Sequence, residues 1–117
     1  MSTKHVDVLI VGAGISGIGT AYHLQANSPD RSYTIIEARQ EVGGTWDLFR
    51  YPGIRSDSDM YTFGFNFKPW SSPKAISPGG DIREYVKEAA VENGIYANIQ
   101  FSHKVTSASW SSEVKCW

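Results

Sequence analysis

Residues 5–17, HVDVLIVGAGISG, constrain this chain more than any other stretch. A β-branched run ends on Val11, and Gly12, Gly14 and Gly17 follow with the spacing G-x-G-x-x-G. A nearly continuous apolar run of this length reads as a strand buried on both faces of a parallel sheet. The first glycine permits a tight turn, the second lets the main chain approach a bound group, and the third lets a helix pack closely on the strand. That helix is expected over residues 15–27, with Ile15, Ile18 and Tyr22 on one stripe and Ala21 and Leu24 beside it, ended by NSPD. YTIIE, residues 33–37, reads as the second strand. The chain therefore opens β-α-β, a unit that crosses over right-handed.

In that context the glycine turn is a dinucleotide-binding signature. The N–H groups and partial positive charge at the helix start suit phosphate oxygens, and Ser16 could add a hydroxyl donor. Glu37 ends the second strand, where its carboxylate is placed to accept both hydroxyls of an adenosine ribose. A 2′-phosphate would meet a like charge there, which disfavours NADP at this first site and leaves FAD or NAD. Arg39 could argue otherwise but reads as a solvated surface arginine. A glycine-rich turn with a purely structural role is the alternative.

Residues 38–80 carry little periodicity, and Pro52, Pro69, Pro73 and Pro78 punctuate them. So long an irregular run inside a small domain is functional or disordered. Its aromatics, among them Phe49, Tyr51, Phe63, Phe65, Phe67 and Trp70, argue against disorder. FGFNF alternates, as a short strand would. DIREYVKEAAVENG, residues 81–94, reads as a helix with Ile82, Tyr85, Val86 and Ala89 on one stripe, Asp81 in its first turn and Gly94 as its stop. NIQF, residues 98–101, reads as a strand, and KVTSASW and VKCW flank SSE as a hairpin or the start of a meander. The sequence stops inside that second run, so a truncated chain is expected.

Eleven basic and twelve acidic side chains leave a net charge of −1, which offers no footprint for nucleic acid or an anionic membrane. One cysteine, Cys116, excludes an intrachain disulfide and suits a reducing, cytoplasmic compartment. No stretch approaches a transmembrane span; membrane association is not evident, and peripheral attachment stays open. His5, His23 and His103 have no metal-ligand spacing.

GAGISGIGTAYHL, GGTWD and above all RYPGIRSDSDMY resemble the flavin-dependent monooxygenases of the Baeyer–Villiger type. The run GGTWDLFRYPGIRSDSDMYTFGF is similar to the ethionamide-activating members of that family, and the likeness extends through YVKEAA to HKV. The resemblance implies an α/β fold: a Rossmann-like FAD-binding domain of the glutathione-reductase type, with a parallel sheet and a β-meander, here truncated. Residues 1–117 are then the N-terminal part of an FAD-binding domain, with the NADPH-binding and remaining catalytic parts in the rest of a longer polypeptide. It implies FAD and NADPH as cofactors, and O2 with a small ketone, sulfide or thioamide as substrates. The chemistry would be Baeyer–Villiger or sulfur oxidation through a C4a-peroxyflavin, an anion that needs a dry pocket and fixed positive charge.

Residue by residue, Asp57 matches the family's active-site aspartate, which steadies a distant arginine and the nicotinamide. That arginine lies beyond Trp117, so the fragment is expected to be inactive alone. Arg55 and Ser56 match positions on the flavin and nicotinamide side. Gly44, with Gly43, matches a second glycine turn near the ribityl chain. Thr45, Trp46, Asp47 and Leu48 match the flavin-contacting turn, with Trp46 a wall on the ring system. Val105 matches a residue whose main chain meets the adenine, in a strand. The stretch GGTWDLFRYPGIRSDSDMY, residues 43–61, is then expected to wrap a flavin and not to pack a core.

On the residues alone, Asp57 serves equally well as turn chemistry in SDSD, Arg55 as a surface ion-pair partner and Trp46 as core. Tyr61 reads as core and Asp59 as solvated. Two other functions stand beside the first: a flavin-containing N- or S-monooxygenase or N-hydroxylase, against which Asp57 speaks, and a non-catalytic FAD-binding remnant. GGT is followed by tryptophan and not by a redox cysteine, which disfavours a disulfide reductase.

Overall fold

The β-branched runs form two parallel strands, β1 (Val8–Val11) and β2 (Tyr33–Ile36), joined by a helix, α1 (Ile15–Asn27). The computed structural model describes residues 4–117. Strand β1 starts later than its apolar run because Asp7 turns aside: its N–H donates to Ser32 Oγ at 3.0 Å and its carboxylate accepts the Ser32 N–H at 2.8 Å. Two single-turn helices follow, α2 (Thr45–Leu48) and α3 (Met60–Phe63), then a long helix, α4 (Gly79–Glu92). Gly94, at φ +70°, stops α4 in the left-handed region glycine tolerates. A 3-10 turn (Tyr96–Asn98) leads into β3 (Ile99–Gln100), which pairs parallel with β2 through Ile35 and Ile99. The strand order is β1-β2-β3.

Ile10, Ile35 and Ile99 face α1 and α4 and form the core with Ile18, Ala21, Val42, Val86, Ala89, Ala90 and Ile95. The other sheet face is not buried as β1's composition suggested. Leu9 is 50% and Val11 66% exposed, because among the described residues both long helices pack on one side.

The expected meander is replaced by irregular chain. Beyond Gln100 the Ser102 N–H donates to Arg39 O at 2.9 Å and the His103 N–H to Glu37 O at 3.0 Å, with Ser102 at φ +58°. The strand is thereby turned off the sheet. Residues 106–113 are mostly polar and largely exposed, with no continuous apolar face to bury in a ladder. One antiparallel bridge, Ser111–Cys116, is all that forms there among the described residues. FGFNF closes a tight turn, with an antiparallel bridge between Phe65 and Lys68.

Farther along the irregular segment, Phe65, Phe67 and Trp70 pack against the core. Phe67 stacks on Tyr22 of α1 at 3.7 Å between ring centroids and on Phe65 at 4.6 Å, and Phe65 stacks on Tyr85 of α4 at 5.7 Å. The Tyr85 hydroxyl accepts the Phe65 N–H at 2.7 Å and donates to Lys68 O at 2.5 Å. No helix among the described residues is long and apolar enough to cross a membrane.

Candidate functional site

Gly17 shows why the glycine turn has its spacing. A Cβ there would lie 1.9 Å from Gly12 O, so only glycine lets α1 start this close to the end of β1. Gly12 differs: its φ is +103°, yet a Cβ would meet nothing within 4 Å. The space beside it is open to a ligand. The first-turn N–H groups of α1 have no carbonyl behind them in the helix, and its cap residue, Gly14, offers no side-chain bond.

A second glycine turn closes on the first. Gly43 N–H donates to Ala13 O at 3.0 Å, and a Cβ on Gly44 would come within 3.1 Å of Gly14 Cα. Both residues have positive φ, +123° and +54°. Between the turns lies a groove of about 250 Å³, lined by Val11, Gly12, Gly14, Ile15, Ser16, Gly17, Gly43, Gly44, Thr45 and Trp46. No charged side chain lines it, so an anion entering it meets helix N–H groups, two hydroxyls and an indole. That donor set fits the diphosphate of a dinucleotide.

Glu37 sits behind the turn, only 7% exposed. Its Oε1 accepts the Ala13 N–H at 2.8 Å and its Oε2 the Arg39 N–H at 2.9 Å. A carboxylate offers about four lone-pair sites, so both oxygens keep one for a further donor. Trp46 is half-buried, its ring edge-on to Phe63 at 6.1 Å. Its other side nears Gly79, where a built Cβ would meet Trp46 Cε3 at 3.5 Å.

Gly79 belongs to a second cavity, of about 620 Å³, with Gly53, Ile54, Arg55, Lys74, Ile76, Ser77, Pro78 and Gly80. Trp46 thus stands between the two spaces. The Tyr51–Ile54 turn, with Pro52 and then Gly53 at φ +84°, delivers Arg55 to the second cavity. Arg55 is exposed there, and its Nε reaches Gly53 O at 3.4 Å. The Ser56 side chain is buried, and its Oγ accepts the Ser77 N–H at 3.1 Å. Ser77 Oγ is itself fully buried with no partner among the described residues.

Asp57 is exposed in a bend and lines neither cavity; among the described residues its carboxylate has no partner. Asp59 is exposed, but it caps α3, accepting the Thr62 N–H at 2.9 Å, and that bond holds its carboxyl below the usual range. Tyr61 is exposed and not core, its hydroxyl donating to Ser72 O at 2.8 Å. Leu48 is half-exposed outside the groove, and Val105 lies in irregular chain, not in a strand.

Asp47 corrects the sequence reading most. Its side chain points away from the groove, is 7% exposed, and meets three arginines: Arg39 Nε at 2.8 Å, Arg50 Nη2 at 2.7 Å and Arg83 Nη1 at 3.9 Å. Burial pushes its carboxyl up, but the hydrogen bonds and charges of Arg39 and Arg50 outweigh that and hold it below the usual range. Arg39 is therefore an ion-pair partner and not a free surface arginine. The spacing of Arg39, Asp47 and Arg50 was the available signal; Arg83, far along the chain, gave none.

The family described as NAD(P)-binding Rossmann-like domain matches residues 10–72. A protein named FAD-containing monooxygenase EthA, of Mycolicibacterium smegmatis, is 59% identical over 115 residues, 98% of this chain and 23% of its own length. A probable FAD-binding monooxygenase AlmA, of Acinetobacter baylyi, is 56% identical over 114 residues, 97% of this chain and 23% of its own. The crystal structure of OTEMO in complex with FAD and NADP superposes with a TM-score of 0.84 at 29% identity, over 96% of this chain and 22% of that one. The chain thus spans about a quarter of the length of the curated relatives it matches.

Proposed function

The chain belongs to the NAD(P)-binding Rossmann-like domain family, and on that premise we propose that it is the FAD-binding N-terminal segment of an FAD- and NADPH-dependent monooxygenase. The whole enzyme would use O2 on a small ketone, sulfide or thioamide. One observation carries this reading: the Gly43 N–H bonded to Ala13 O, which joins two glycine turns around a single uncharged groove. Relatives covering nearly all of this chain carry FAD in their names, which supports the choice of dinucleotide.

In this reading the turn from Gly12 to Gly17 and the start of α1 hold the diphosphate, with Ser16 as an added donor. Glu37 turns its remaining lone pairs to ribose hydroxyls, and the main chain near Val105 meets the adenine. Gly44, Thr45 and Trp46 lie along the ring system, and Trp46 excludes water from one side of it. Arg55 and Asp57 belong to the nicotinamide side, where the exposed Asp57 carboxylate is available to a cation from outside this chain. FAD, when bound, supplies the redox chemistry.

The test uses the protein as its gene encodes it, purified and mixed with NADPH, O2 and a panel of a cyclic ketone, a sulfide and a thioamide. A yellow protein and an oxygenated product are expected. NADPH consumption that yields only hydrogen peroxide across the whole panel defeats the monooxygenase reading. A folded protein that stays colourless with added FAD defeats the site.

A further inference from the structure

The cluster around Asp47 is the feature that the binding reading leaves unused. Helix α2 is one turn long, and its cap residue, Gly44, makes no side-chain bond. A turn that short does not hold itself in water. Its buried Asp47 is met instead by arginines from three places: Arg39 just after β2, Arg50 just after α2, and Arg83 on α4. The residue before Asp47 is Trp46, which lines the groove. Arg39 also looks the other way, its main-chain N–H donating to Glu37 Oε2 at 2.9 Å, while Glu37 Oε1 accepts the Ala13 N–H at 2.8 Å. A continuous path therefore runs from the phosphate loop through Glu37, Arg39 and Asp47 to Trp46.

We propose that Asp47 is a positioning residue: clamped by Arg39, Arg50 and Arg83, it sets the register of α2, and through Arg39 it ties the ring-facing end of the groove to its ribose-facing end. This rests on the FAD reading above. The role is distinct from direct contact, because the carboxylate points out of the groove. Substitution acts on how the ligand is held as well as on how stable the protein is.

The experiment measures three quantities on the full-length protein and on Asp47→Asn, Arg50→Gln and Arg39→Lys. They are the FAD dissociation constant, the visible circular dichroism of bound FAD, and the melting temperature of the apoprotein. Asp47→Asn is expected to weaken FAD about tenfold, the lower end of what loss of an outer partner costs at a bound metal, and to alter the visible dichroism well below its melting temperature. Arg39→Lys keeps the charge and the N–H to Glu37, so it should change both less. Added to Asp47→Asn it should contribute little more, since the two act as one unit. Lowered melting with unchanged affinity and dichroism overturns the proposal. Should Asp47→Asn fail to fold, Arg39→Lys and Arg50→Gln decide by the same criteria. A folded wild type that takes up no FAD removes the functional reading and this inference together. A wild type that binds FAD, with variants that match it, removes the inference alone.

Discussion

Residues 8–36 and residues 38–80 both reach the groove, but they are held there differently. The first region bonds mainly to itself: β1 to β2 in register from Val8↔Tyr33 to Val11↔Ile36, and α1 through its own helix. The second is held by isolated bonds between positions far apart in sequence. The Ser56 N–H reaches Ser77 O at 3.0 Å, the Gly79 N–H reaches Ile54 O at 2.9 Å, the Met60 N–H reaches Ala75 O at 2.7 Å, and the Phe65 N–H is taken by the Tyr85 hydroxyl. A regular region fails through steric faults in its few close approaches. A region held by isolated long-range bonds fails through the loss of a single distant partner.

The sharpest attempt to break this contrast is Gly17→Ala. Its Cβ collides with the Gly12 carbonyl at 1.9 Å, so α1 must shift off β1, at a cost of about 3 kcal/mol in denaturant unfolding. A cost under about 1 kcal/mol would mean the turn yields more easily than its geometry says.

Next is Tyr85→Phe, which leaves the ring in place but abandons the Phe65 N–H and the Lys68 carbonyl. The expected loss is about 2 kcal/mol, with faster hydrogen exchange at residues 64–70 while β1 and β2 keep their protection. Uniform loss of protection throughout the chain would erase the distinction between the regions.

Acid sharpens the comparison within the second region. Asp47 and Glu41 both have lowered carboxyl values; burial opposes this, and it is overcome by Arg39 and Arg50 at Asp47 and by Val42, Lys87 and Tyr96 at Glu41. Groups lowered in the folded state stabilise it above the ordinary carboxylate range, and they lose that contribution as pH falls through their native values. Wild type and Asp47→Asn should therefore differ most in stability near neutrality and converge below about pH 4. A gap that persists in acid points to lost packing and not to lost charge.

The smallest effect concerns Ser77. Its hydroxyl is buried and has no partner among the described residues, so Ser77→Ala should be neutral or slightly stabilising, within about 0.5 kcal/mol. A clear loss on thermal melting would reveal a partner for that oxygen.

These differences explain what the sequence could tell. Val8–Val11, α1, β2 and α4 announce themselves by period, because their bonding partners lie a few residues away or in a like run. The glycine spacing located the turn between β1 and α1, and Glu37 fell just past the end of β2, since both depend on local geometry. Nothing near Phe65 and Phe67 in the sequence names Tyr22 or Tyr85 as their stacking partners. Asp47 was read as a contact residue because its arginines lie at 39, 50 and 83. The meander failed because two main-chain bonds, to Arg39 O and Glu37 O, bend the chain away just past β3.

Anyone preparing these 117 residues by themselves will meet the consequence of Leu9 and Val11 first. They form a water-averse flank beside a terminal strand whose outer N–H and C=O row has no neighbour in the three-stranded order. Two copies can join there edge to edge. Protein concentration, more than any property of the nucleotide groove, will decide how long such a sample stays clear.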